Sequence, residues 1–309
     1  MTVAMPEHCL YPPLLKKGDT IGLAAPAGPI REDVLRQGLQ LLRDCGVKRV
    51  KHAPDICRRD NYLAGSDHRR LEELHDLWDD DEVKAILAVR GGYGCARLLN
   101  QLDFDLIRRK PKIFVGFSDL TILINVIHHR TGLVTFHGPM LSTLARDGRP
   151  ALESMLNELS VHAQANVKIK GLEILRPGQA QGPLIGGNLT CLAQLLATPY
   201  EPAWAGAILL LEDINEPAYR VDRLLTQLSL SGRLDLVAGV ILGDFLDSDS
   251  HSISDLDLVW QRTVEPTPGH VPVWGNFPVG HGCRNLILPV GRTVKMDSGA
   301  GTLRLIELY

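Results

Sequence analysis

Lys112-Ile-Phe-Val-Gly116-Phe-Ser118-Asp119-Leu-Thr-Ile-Leu-Ile-Asn125 reads as a short apolar strand that stops at Gly116, a corner at Ser118 and a helix that starts at Asp119. Strand-to-helix corners of this kind belong to parallel α/β sheets. A serine on such a corner has two readings. It can N-cap the helix, which is the commoner use of serine there. It can also serve as a nucleophile, because the turn lifts its hydroxyl out of the sheet beside the unpaired N–H groups of the first helical turn, where an oxyanion can be held. Gly116-Phe117-Ser118-Asp119-Leu120 has leucine where the hydrolase elbow has its second glycine, so the pentapeptide alone is read as a cap.

The same alternation extends towards the N-terminus. Thr20–Ala25 is an apolar strand ending in Pro26-Ala27-Gly28-Pro29, and Arg31 to Cys45 is a helix closed by Gly46. Leu71, Leu74, Leu77 and Trp78 form a helical stripe, and Val83 to Val89 is a second buried strand ending in Arg90-Gly91-Gly92-Tyr93-Gly94. A helix through Leu98 and Leu99 follows, and a strand over Leu133 to Phe136 lies beyond the Ser118 helix. These elements predict a wound parallel α/β domain over 1–147. Residues 148–177 are read as an inter-domain connection, with a polar helix and an alternating antiparallel run from Val167 to Leu175. A C-terminal domain over 178–309 has a helix at Asn188 to Ala197 and strands at Ala207–Leu211 and Val237–Leu242. It also has a helix striped by Val221, Leu224, Leu225 and Leu228, and short β segments from Val273 to Leu308.

Composition narrows the function. The chain has 309 residues, 45% hydrophobic and 22% charged, which is ordinary for a two-lobed folded protein. A net charge of −3 with scattered basic residues gives no electrostatic footprint for nucleic acid. No apolar run is long enough for a membrane span, and Pro6, Glu7, His8, Pro12 and Pro13 occupy the place of a signal-peptide core. Six cysteines at 9, 45, 57, 95, 191 and 283 show neither Cys-x-x-Cys nor regular spacing, which fits free thiols in a reducing cytoplasm. His128 and His129 are adjacent on a helix, so they face different ways and cannot easily share a metal.

Three strand ends carry polar or glycine-rich sequence, which is where ligands bind in open parallel sheets. Arg90 to Gly94 offers backbone N–H groups to an oxyanion or phosphate, but it matches neither dinucleotide nor Walker motifs and reads equally as a tight turn. Ser118 is the second end. The third is Leu211-Glu212-Asp213-Ile214-Asn215-Glu216-Pro217, an apolar strand opening onto three carboxylates. Asp213 and Glu216 are explained as partners of the next helix's N-terminal dipole. Glu212, at the last strand position, needs a cationic or N–H partner, and His281 between Gly280 and Gly282 can be one. A hydroxyl needs an imidazole to take its proton, and the imidazole needs a carboxylate to fix its tautomer. Ser118, Glu212 and His281 supply one of each.

Val89-Arg90-Gly91-Gly92-Tyr93-Gly94, Gly116-Phe117-Ser118-Asp119, Gly186-Gly187-Asn188-Leu189, Leu211 to Glu216, Tyr219-Arg220-Val221-Asp222-Arg223, Gly280-His281-Gly282 and Leu288-Pro289-Val290-Gly291 occur in order across nearly the whole chain. This set resembles the L,D-carboxypeptidases, serine peptidases that include the muramoyltetrapeptide carboxypeptidases of peptidoglycan recycling. The resemblance implies an N-terminal wound parallel α/β domain and a C-terminal β-rich α/β domain, with the active site in the cleft between them. It implies Ser118 as nucleophile, His281 as general base and then acid, and Glu212 as the orienting carboxylate. The oxyanion would lie on the N–H groups of Gly92 and Asp119. The expected substrate is a murein tetrapeptide, cleaved between the L-centre of meso-diaminopimelate and the terminal D-alanine. Arg90 or Arg220 is a candidate for its terminal carboxylate. No cofactor and no metal is implied; a cytoplasmic homodimer is.

Two other readings compete. Relatives of the family cleave peptidyl-nucleotide antibiotics of the microcin type and confer self-immunity, which keeps the triad and changes the substrate. A non-catalytic two-lobed binding protein, or a nucleotide-binding protein with phosphate on Arg90 to Gly94, accounts for the sheet and the glycines but leaves Glu212 and His281 idle.

Overall fold

The computed structural model describes residues 9–161, 167–169, 171–246, 256–282 and 284–306. Pro6, Glu7, His8, Cys283 and Leu308, used in the sequence reading, lie outside the described residues. The chain divides into two compact units, one of residues 6–163 with 286–289 and one of 164–285 with 290–309.

The first unit has strands β1 (Thr20–Ala24), β2 (Arg49–Lys51), β3 (Val83–Ala88), β4 (Ile113–Gly116) and β5 (Thr135–His137). Its helices are α1 (Glu32–Asp44), α2 (Asp67–Asp79), α3 (Phe104–Arg109), α4 (Thr121–Thr131), α5 (Leu141–Asp147) and α6 (Arg149–Val161). The five strands are parallel in the order β2-β1-β3-β4-β5. In a doubly wound sheet of this order the connections leave in opposite directions after β1 and β3, which opens a crevice at their carboxyl ends. The loops Pro26–Pro29 and Arg90–Gly94 meet there, with the Gly28 N–H donating to the Gly91 carbonyl at 3.0 Å.

The helix expected from Asp119 begins with a 3-10 turn, Ser118–Leu120, and continues as α4. Helix α4 is buried almost all round, from Thr121 to His128, as a helix with apolar residues on every face must be. It stops at Gly132, which adopts φ +76° and donates its N–H to the His128 carbonyl, the left-handed cap that glycine supplies without a Cβ penalty. The segment through Leu98 and Leu99 is a 3-10 helix, Cys95–Gln101.

Helix α6, which the sequence reading assigned to the connection, buries Leu152, Met155 and Leu159 in the core of the first unit with Leu23, Val115 and Leu141. Its polar surface concealed that stripe.

The second unit contains β6 (Val167–Lys168), β7 (Glu173–Arg176), β8 (Gln179–Asn188), α7 (Leu189–Ala193), β9 (Ile208–Ile214), α8 (Ala218–Leu230), β10 (Gly239–Leu246), α9 (Leu256–Val264) and β11 (Val273–Gly275). After β12 (Leu288–Val290), which joins the first sheet beside β5, come β13 (Thr293–Asp297) and β14 (Thr302–Leu305). The second sheet is ordered β6-β14-β13-β8-β9-β10-β11-β7, with β8 to β11 parallel and the flanking strands antiparallel. The alternating run read as connection therefore supplies edge strands of this sheet. The helix expected over Asn188–Ala197 is shorter at its C-terminal end: Asn188 ends β8 and caps α7, which stops at Ala193. The α8 stripe holds: Val221, Leu225 and Leu228 are fully buried against Leu209, Leu211 and Trp204, each contributing roughly 1.5–3 kcal/mol on burial.

Among the described residues Cys9, Cys45, Cys57, Cys95 and Cys191 are in no disulfide. Among the described residues no helix is long and apolar enough to cross a membrane.

Gly38 tests the packing of α1 on α5, because a β-carbon there would lie 2.6 Å from Leu141 Cγ. Alanine raises helix propensity by up to about 1 kcal/mol, and overpacking costs about 1–3 kcal/mol, so the clash wins. Gly38→Ala is expected to lower unfolding stability by about 1 kcal/mol in urea titration; a stabilised variant would contradict this packing.

Candidate active site

Ser118 is not the N-cap of its helix. Phe117 holds that position in extended geometry, and Ser118 lies in the first turn with φ +61°. A non-glycine residue in this region costs on the order of 1–3 kcal/mol and persists only where its surroundings enforce it. Two glycines do so. A β-carbon on Gly91 would come within 2.8 Å of both Ser118 Cβ and Oγ, and one on Gly116 would sit 2.7 Å from Leu120 Cβ. Leu120, which departs from the hydrolase elbow, is accommodated because Gly116 leaves it room. The serine side chain is half-buried and faces the glycine loop after β3.

That loop is fixed by its neighbours. Gly92 and Gly94 both have φ +124°, and a β-carbon on Gly92 would be 3.1 Å from Gly28 Cα. The Asp119 carboxylate, buried, accepts the Cys95 N–H at 2.8 Å and so ties the end of the glycine loop to the serine corner. Burial raises the Asp119 pKa and the Cys95 bond opposes that rise. The Asp119 backbone N–H belongs to a first helical turn, where amides lack intrahelical acceptors.

Beneath the crevice Arg70, wholly buried, donates to the carbonyls of Pro26 and Gly94 and pairs with Asp67. Glu73 accepts the Ala25 N–H at 2.8 Å and pairs with Arg69. Helix α2 thus braces both loops of the crevice through side chains one helical turn apart or less. Sequence reasoning missed Arg70; the only signal was a charged residue within the apolar stripe Leu71, Leu74, Leu77.

In the second unit Glu212 has no solvent exposure and lies within β9, two residues before the strand ends at Ile214 rather than at its last position. Its Oε2 lies 2.7 Å from His281 Nδ1, a bond between residues 69 apart in sequence that assigns the ring proton to Nδ1 and leaves Nε2 as the basic nitrogen. Burial of His281 disfavours its charge, but the Glu212 carboxylate beside it, with Asp213 and Asp244 nearby, outweighs this and raises its pKa.

Asp213 does serve a helix N-terminus, though of α7 rather than α8. It accepts the Thr190 N–H at 2.9 Å, the Thr190 hydroxyl at 2.8 Å and Asn188 Nδ2 at 2.8 Å. Burial and the charge of Glu212 push it up to about 6. Asn188 also caps α7 through Cys191 N–H. The glycines before it permit this: a β-carbon on Gly186 would lie 2.0 Å from the Leu210 carbonyl, so only glycine lets β8 run this close to β9.

The two arginine candidates are engaged locally. Arg90 donates to the Pro29 carbonyl at 2.9 Å, and Arg220 in the first turn of α8 pairs at 3.4 Å with Glu216, which precedes that helix. Among the described residues no three or more His, Cys, Asp or Glu side chains are grouped to hold a metal ion.

A fixed serine beside a glycine loop, and a histidine held by a buried carboxylate, are parts of acyl-transfer chemistry. Comparison with known proteins gives them a family. The model of the LD-carboxypeptidase N-terminal domain matches residues 21–138, and that of the LD-carboxypeptidase C-terminal domain matches residues 181–296. The chain belongs to the LD-carboxypeptidase family and is an enzyme of the carboxypeptidase class. It is 38% identical to the "Probable murein peptide carboxypeptidase" of Bacillus subtilis, over 94% of this chain and 92% of that one. It is 34% identical to the murein tetrapeptide carboxypeptidase of Pseudomonas aeruginosa, over 90% and 92%. Its two-domain α/β fold matches the crystal structure of an MccF-like protein from Bacillus anthracis, with a TM-score of 0.83, 26% identity and coverage of 97% of this chain and 100% of that one; MccF names the microcin C7 self-immunity protein.

Two expectations follow. Arg70→Leu leaves buried carbonyls without donors and is expected to cost on the order of 3 kcal/mol of stability in urea unfolding; an unchanged midpoint would contradict the brace. For His281, a folded pKa raised above the unfolded value stabilises the fold fully below the unfolded pKa, and that contribution is lost as pH rises through the folded one. An NMR titration is expected to place His281 above the ordinary value of about 6.5, and Glu212→Gln to lower it; a variant titrating as wild type would contradict the pairing.

Proposed function

We propose that this chain is a serine-type L,D-carboxypeptidase that releases the terminal D-alanine of murein tetrapeptides in cytoplasmic peptidoglycan recycling. The observation that carries the reading is the Glu212–His281 bond, which leaves Nε2 of a held imidazole ready for a hydroxyl. In this reading Ser118 and His281 work on the same substrate carbonyl. His281 Nε2 takes the Ser118 proton as Oγ attacks the carbonyl of the L-centre of meso-diaminopimelate, and Glu212 stabilises the imidazolium. The oxyanion lies on the N–H groups of Gly92 and Asp119, a contribution of about 2.7–4 kcal/mol per donor in related chemistry. The imidazolium then protonates the departing D-alanine amine, and water, activated by the same imidazole, hydrolyses the Ser118 ester. Arg90 or Arg220 holds the terminal carboxylate as a bidentate fork, giving up a local partner to do so. The assembly we propose is a homodimer without metal or cofactor.

Identity of 34–38% to murein peptide carboxypeptidases supports the substrate class. Likeness to an MccF-like structure favours a second reading, hydrolysis of a peptidyl-nucleotide by the same three residues. Ser118→Ala is expected to reduce D-alanine release from murein tetrapeptide by about 10⁴-fold or more, and wild-type release by that variant would refute the nucleophile. Faster turnover of an aminoacyl-nucleotide analogue than of the tetrapeptide would select the second reading.

A further inference from the structure

Asp244 is absorbed by nothing in the reaction above, yet it is built into the turn that carries His281. It lies near the end of β10, after the apolar run Val240–Leu242, as Glu212 lies near the end of β9. Its N–H donates to the Val279 carbonyl at 2.9 Å, and its Oδ2 accepts the Gly282 N–H at 2.9 Å. One residue therefore grips the chain on both sides of His281. The grip is tight enough to dictate the flanking residues. A β-carbon on Gly282 would lie 2.6 Å from Asp244 Oδ2, and one on Gly280, at φ +123°, would lie 3.1 Å from Asp244 Cβ and 3.0 Å from Glu212 Oε2. Gly280 is further anchored through its N–H to Asn285 Oδ1 at 3.1 Å.

We propose that Asp244 is a positioning residue for His281, holding the Gly280–Gly282 turn so that the imidazole stays on Glu212 and adding a further negative charge near its cationic form. This deepens the proposed function and rests on His281 as the general base.

The charged groups bearing on His281 are Glu212 and Asp213 from β9 and Asp244 from β10. Burial raises the Asp244 pKa to about 6, a rise that the Gly282 N–H opposes and the Glu212 charge reinforces. The charge that Asp244 carries once ionised favours the His281 cation, so removing it must lower the His281 pKa. Its hydrogen bond to Gly282 is a separate contribution. Asparagine can retain the acceptor without the charge, whereas alanine loses both.

The experiment measures kcat, KM and the pH dependence of kcat/KM for wild type, Asp244→Asn and Asp244→Ala, with the His281 titration followed independently by NMR. Asp244→Asn is expected to lower the His281 pKa, to move the acid limb of kcat/KM down with it, and to reduce kcat less than tenfold. Asp244→Ala is expected to lower kcat at least tenfold further with KM little changed. Gly282→Ala attacks the same contact from the other side and should reproduce that kcat loss, which keeps the test open if Asp244→Ala does not fold. Wild-type His281 titration and kcat in both Asp244 variants would overturn the proposal, as would equal kcat losses from asparagine and alanine. If the NMR titration shifts while the kinetic limb stays, the hold of Asp244 on His281 stands and the assignment of His281 as base falls.

Discussion

Gly91 has no β-carbon, and Ser118 occupies the space one would need. The arrangement of the first domain depends on that exclusion. Parallel pairing of β3 with β4 delivers the two chain ends to neighbouring positions at the same edge of the sheet. Ser118 turns into left-handed geometry against the glycine loop, and Asp119 hydrogen-bonds back to Cys95 at the end of that loop. A side chain at position 91 would separate the hydroxyl from the amides beside it. The backbone cost at Ser118 is offset by a helix buried on nearly every face, whose first turn cannot move without exposing apolar surface.

The second domain solves a different problem, the burial of charge. Glu212, Asp213 and Asp244 stand at the ends of two adjacent parallel strands, where carboxylates repel one another in a medium of low dielectric. Each is given its own partner: His281 for Glu212, Asn188 and Thr190 for Asp213, and Gly282 N–H for Asp244. In the proposed reaction the same negative field would favour the His281 imidazolium, so part of what looks like structural cost would support the transition state.

Much of the fold was legible because its elements announce themselves locally. Strands such as Ile113–Gly116 and Ile208–Leu211 are apolar runs, and α8 shows its stripe at helical spacing. Strand β8 was illegible because Gly182 and Gly186 look like breakers, whereas each is required by a carbonyl about 2 Å from where its β-carbon would be. Helix α6 hid a buried stripe in a polar sequence. Of the candidate site, the Glu212–His281 pairing was legible from a carboxylate on an apolar strand and a histidine between glycines, and Ser118 was legible as a candidate from its strand-to-helix corner. The left-handed geometry of Ser118 was not, since the room for it is left by Gly91 in the loop after a different strand. Arg70 and Asp244 were hidden for a related reason: each acts on backbone groups far along the chain, and sequence alone does not show which amide or carbonyl a side chain will reach.

Covalent labelling reads out whether Ser118 is an activated nucleophile. Treatment of the intact protein with a serine-directed fluorophosphonate, followed by mass measurement and peptide mapping, is predicted to give one adduct per chain on the peptide carrying Ser118. Its rate should rise with pH as His281 loses its proton. Inactivation accompanied by an adduct on a different residue, or full D-alanine release from protein labelled at Ser118, would contradict the account.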